Sequence, residues 1–69
     1  MIYRFDVGKS LRKVQADRRV SNIELAKLFD VTPVQVARWR SATDLKFSRV
    51  SQLCDHFSIS LDEFAGLGR

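Results

Sequence analysis

Arg38 and Arg40 lie two apart at the end of Thr32-Pro33-Val34-Gln35-Val36-Ala37-Arg38-Trp39-Arg40, a run with no acidic residue. Guanidinium groups with no carboxylate beside them are chemistry for an anion. Each is permanently charged and planar, and can hold a phosphate or a base edge at two points. Cys54 and His56 suggest a different chemistry, nucleophilic attack or metal binding, but their spacing argues against it. Two residues apart on a helix they point to different faces. The sequence offers no second cysteine or histidine to complete a zinc site. Cys54 is therefore expected in the core, and His56 at the surface or half-buried. The acids are scattered, and no glycine-rich phosphate loop is present. No enzyme chemistry, metal or cofactor is expected.

The elements that must position the arginines are read from Ser21 to Arg40. Ser21-Asn22-Ile23-Glu24 is a Ser-x-x-Glu capping box and predicts a helix ending near Phe29. Thr32-Pro33-Val34-Gln35 is a second box, with Pro at the first helical position, and predicts a helix to about Arg40. Only Asp30 and Val31 separate the first helix from the second cap. That is helix-turn-helix spacing, whose second helix can lie in the major groove of DNA. Leu25, Leu28 and Phe29 make the apolar stripe of the first helix, and Val36 and Trp39 face it from the second. Ala26 is small where the two helices would cross. Pro33, Val34, Gln35, Ala37, Arg38 and Arg40 are left for the exposed face.

Around this motif the sequence predicts further helices. Asp6 caps one over 7–17, whose buried face is Val7, Leu11 and Val14, with Lys9, Arg12 and Lys13 elsewhere. Arg18 and Arg19 form the turn after it. A polar loop over 41–46 precedes a helix over 47–57 with the stripe Phe47, Val50, Leu53, Cys54 and Phe57. Ser60-Leu61-Asp62-Glu63 is a third capping box, opening a short last helix that Gly66 would stop. Residues 1–5 read either as a short edge strand, pairing with its copy in a second subunit, or as an arm whose Tyr3 or Phe5 tucks over the first helix. The expectation is one all-α, five-helix domain over 1–69, with that N-terminal strand as one alternative.

Length and charge bound the rest. Sixty-nine residues make one domain. One cysteine excludes an internal disulfide and suits a reducing cytoplasm. No apolar run approaches the ~20 residues that span a membrane, and no secretory signal is read at the N-terminus, so a cytoplasmic location is expected. The net charge of +4 is uneven: residues 1–49 hold eleven Lys/Arg against five acids, and residues 50–69 hold one against three. A basic body with an acidic end suggests one face for a polyanion and another for a different partner.

Ser21, Glu24-Leu25-Ala26-Lys27, Val31-Thr32, Val36 and Trp39, with the later run Ser58 to Phe64, resemble the Cro and lambda-repressor-like helix-turn-helix proteins, the XRE family. The resemblance covers roughly residues 7–65. It implies the lambda-repressor-like fold and binding to double-stranded operator DNA. The family's base-reading positions map to Pro33, Val34 and Arg38. Arg38 would bond a guanine edge, Val34 would touch a thymine methyl, and Pro33, having no donor, would mainly start the helix. Direct readout is then thin, and DNA shape carries more. Phosphate contacts are implied for Asn22, Thr32, Gln35, Ser41, Thr43, Lys46 and Arg49. The family's Arg–Glu pair, between the first helix and the end of the recognition helix, is replaced here by Gln15 and Arg40. Arg40 would thus be free for a phosphate. Many members carry Gly where this chain has Arg19 and Asp30. By resemblance the chain is a phage or mobile-element repressor acting as a homodimer, with contacts through Leu61, Phe64 and Leu67, then Ile2, Tyr3 and Phe5. Alternatives are an antitoxin, a restriction-modification controller, a protein-interaction module of the same fold, or a non-specific DNA packer. No small-molecule ligand and no membrane contact are expected.

Overall fold

The computed structural model describes residues 5–69. Among them are five helices and no strand: α1 (Val7–Arg18), α2 (Asn22–Phe29), α3 (Pro33–Ser41), α4 (Phe47–Phe57) and α5 (Leu61–Leu67). Four helices open on a side-chain cap. Asp6 accepts from Lys9 N at 3.0 Å, Ser21 from Glu24 N at 3.1 Å, Thr32 from Gln35 N at 3.2 Å and Ser60 from Glu63 N at 3.1 Å. α4 opens at Lys46 with no side-chain cap.

Three helices close the same way, each on a non-glycine residue in the left-handed region: Arg19 (φ 55°), Asp30 (φ 54°) and Ser58 (φ 55°). The residue after each one explains how the strain is held. Val20 N donates to Gln15 O (2.9 Å), Val31 N to Ala26 O (2.9 Å) and Ile59 N to Cys54 O (3.1 Å). These are Schellman closures, and their apolar partners Val20, Val31 and Ile59 all pack on the core. Two hydrogen bonds and a partly buried β-branched side chain offset a left-handed penalty of about 1–2 kcal/mol.

α5 runs through Gly66 to Leu67 and ends at Gly68, which corrects the expected stop. A Cβ on Gly66 would meet nothing within 4 Å, so that position needs no glycine. A Cβ on Gly68 would lie 2.4 Å from Asp6 O and from Ser10 Oγ. Close approach of α5's end to the start of α1 sets the stop, and Asp6 N donates to Gly68 O at 3.1 Å across it.

Leu11, Leu25, Val36, Leu53 and Phe64 are fully buried and centre one core. Two residues of the expected stripes lie outside it. Leu28 is 58 % exposed and Phe47 69 % exposed. α2 packs chiefly on α3, so Leu25 and Ala26 suffice for its inner face. Phe47 is the first residue of α4 and projects past the bundle. Phe64 is 0 % exposed and meets the Phe5 ring edge-on at 6.0 Å, so it belongs to the core and is not a dimer contact. Phe5 therefore tucks against α5. Leu61 and Leu67 are half-buried. Ile2 and Tyr3 lie outside the described residues, as does most of the strand expected over 1–5.

The end of α3 is seated on the start of α1. Val7 N donates to Thr43 O (3.3 Å) and Gly8 N to Ala42 O (2.8 Å). Arg12 Nη1 donates to Arg40 O. A Cβ at Gly8 would sit 2.4 Å from Arg40 O, so this glycine permits the approach.

Candidate nucleic-acid interface

α3 turns Val36 (0 % exposed) and Trp39 inward and leaves Pro33, Val34, Gln35, Ala37 and Arg38 exposed. Thr32, also exposed, caps the helix through Oγ1. Val34 is 62 % exposed, the large apolar side chain of a face that also holds Pro33, Gln35, Ala37 and Arg38. The Arg38 side chain makes no hydrogen bond, ion pair or ring contact with another described residue, so its guanidinium is available to a partner. The expected base-reading positions thus share one open face. Ser41 ends α3, Thr43 and Lys46 follow in the loop to α4, and all three are exposed.

Arg40 departs from expectation. Its Nη1 donates to Gln15 Oε1 at 3.2 Å and to Asn22 Oδ1 at 3.1 Å. Gln15 Nε2 donates in turn to Asn22 Oδ1 (3.0 Å) and Val20 O (3.2 Å). Arg40 is therefore not free: an amide replaces the family's carboxylate as the guanidinium's acceptor. The three residues tie α1, α2 and α3 together through a side chain, Gln15, that is 2 % exposed.

Arg49 is half-buried, not a solvated charge. Its guanidinium stands 4.6 Å over the Trp39 ring and 5.7 Å from the centre of Phe29, with Nη1 donating to Gln52 Oε1 at 3.0 Å. Trp39 and Phe29 meet edge-on at 5.8 Å beneath it. Stacking of this kind fixes the charge beside the C-terminal half of α3. Exposed His56 rests edge-on against Phe29 and Phe57.

Burial, and secondarily the charge of Asp55, pushes the Cys54 thiol above its ordinary pKa, which disfavours the nucleophilic thiolate. Among the described residues no group of three His, Cys, Asp or Glu side chains is placed to hold a metal. No helix among them is long and apolar enough to cross a membrane.

Gln15 and Arg12 were missed as residues that support the site. Gln15 was legible as the residue standing where the family has the Arg of its pair, with Arg40 standing where it has the Glu. Arg12 leaves no local signal because its acceptor is 28 positions away.

Two capped helices joined by a tight left-handed turn, the second with an open cationic face, define a helix-turn-helix DNA-binding domain. The family model of the Cro/C1-type HTH DNA-binding domain matches residues 10–67. The chain belongs to that family. No curated protein and no solved structure matches it.

Proposed function

We propose that this chain is a sequence-specific transcriptional regulator that binds double-stranded operator DNA as a homodimer and represses, in the manner of a Cro-type protein. The observation that carries the reading is Arg38, exposed on the outward face of α3 with no side-chain partner among the described residues. It would bond a guanine edge at two points, while Val34 would meet a thymine methyl and Pro33, having no donor, mainly starts the helix. Asn22, Thr32, Gln35, Ser41, Thr43, Lys46 and Arg49 would hold phosphates and fix the register.

Leu61 and Leu67 are the half-buried apolar residues of α5 that a second copy would cover. Exposed Phe47 adjoins Leu61 across a groove also lined by Phe5 and Leu45, which extends that surface. A two-fold dimer would set its recognition helices about 34 Å apart, one DNA turn.

Selection of bound duplexes from a random pool tests all of this together. The expected outcome is a near-palindromic site with half-sites one turn apart. No enrichment over random duplex would refute sequence-specific binding, and a single unpaired half-site would refute the dimer.

A further inference from the structure

Asn22 opens α2 at a position expected to meet phosphate, and one side of its amide is already engaged. Two donors, Arg40 Nη1 (3.1 Å) and Gln15 Nε2 (3.0 Å), converge on Oδ1. Only the oxygen of an amide can accept them, so the network itself fixes which way the amide faces. The network is closed behind Asn22. Gln15 Oε1 takes the second bond from Arg40 Nη1, and Gln15 Nε2 also reaches Val20 O. Gln15 is 2 % exposed, so it depends on these partners. Nδ2 of Asn22 keeps two protons with no acceptor among the described residues. Arg40 makes no ion pair with a described acid, so an uncompensated positive charge lies one hydrogen bond behind that donor.

We infer that Arg40 and Gln15 are positioning residues for DNA binding: they hold Asn22 Oδ1 inward and present its NH2 group to a phosphate oxygen. The guanidinium charge polarises the amide through the shared oxygen and strengthens the outward donor. This rests on the DNA-binding reading above, and it gives Arg40 an indirect part in place of the direct phosphate contact expected from the sequence.

The test uses the full chain and the best duplex from the selection, with a single neutral methylphosphonate placed at each backbone position in turn. Neutralising the phosphate that faces Asn22 is expected to lower wild-type affinity about tenfold. Asn22→Ala removes that sensitivity. Arg40→Met removes the same sensitivity, leaves the other positions unchanged, and adds nothing to Asn22→Ala at that phosphate. Arg40→Lys, which keeps a charged donor, restores part of it, which a merely structural role does not require. Full sensitivity in Arg40→Met overturns the inference, as does loss at a different phosphate, which would mean that Arg40 touches DNA itself. Should Arg40→Met fail to fold, side-chain NMR of the wild type decides. The Asn22 Nδ2 protons are expected to shift on adding the duplex while the Arg40 guanidinium keeps its internal bonds; the reverse overturns the inference. A wild-type chain that prefers no duplex fails the DNA-binding reading first, a separate result that removes this inference with it.

Discussion

Arg38 and Arg40 are two positions apart and carry the same charge, but their surroundings differ. Arg38 is exposed and unengaged, whereas Arg40 is half-buried and donates to two amide oxygens. Replacing Arg38 by Ala is expected to cost about 1–3 kcal/mol, roughly 5- to 150-fold in specific affinity, and to relax preference at one base pair per half-site. Competition binding with single-base operator variants measures both, and unchanged affinity for the best site would remove Arg38 from base reading. Strain is a second property of single residues here. Arg19 holds φ 55° where glycine is at ease. Arg19→Gly gives up about 1–2 kcal/mol of left-handed penalty and adds back a smaller unfolded-state entropy cost. A net gain of about 0.5–1 kcal/mol, a Tm rise of several degrees by circular dichroism, is expected. A fall in Tm would mean that the Arg19 side chain contributes more than its backbone costs.

Among the elements, helix starts were legible and helix ends less so. Ser21, Thr32 and Ser60 each sit three residues before Glu or Gln, and each is the observed cap, because the caps depend only on neighbouring residues. The end of α5 depends on a distant contact between Gly68 and Asp6, so the sequence pointed to the wrong glycine. Gly66 lies inside α5 with open space around it. Gly66→Ala is therefore expected to stabilise by about 0.5–1 kcal/mol, read from denaturant unfolding. Destabilisation would restore Gly66 as the helix stop. The misjudged burial of Leu28 and Phe47 has a related cause. Periodicity marks which residues share a helix face, but it does not say how far the neighbouring helices extend over that face. The outward face of α3 was legible because Val36 and Trp39 alone define its inner side. The Gln15–Asn22–Arg40 network was not, since it joins three helices.

For the whole molecule, the excess of cations over residues 1–49 belongs to a body that attracts DNA at long range, as well as to the contacts themselves. Lys46, exposed at the uncapped start of α4, is expected to act through a phosphate and not through a base. Lys46→Ala should lower affinity for every duplex and reduce the slope of log affinity against log salt by about one. An unchanged slope would place Lys46 away from the backbone. The seat of α3 on α1 reaches further. Amides in the first turn of a helix ordinarily have no carbonyl to bond and exchange quickly with solvent. Here Val7 and Gly8 give theirs to Thr43 and Ala42, just past the end of α3, whereas among the described residues no backbone carbonyl receives those of Phe47 and Ser48 at the start of α4. The Gly8 proton should accordingly exchange with deuterium far more slowly than that of Ser48. Equal rates would show the seat to be open in solution. If it is closed, α3 cannot loosen at its C-terminal end without also unfastening the first turn of α1. A label near Gly8 would then report on the seating of α3 from the opposite side of that contact.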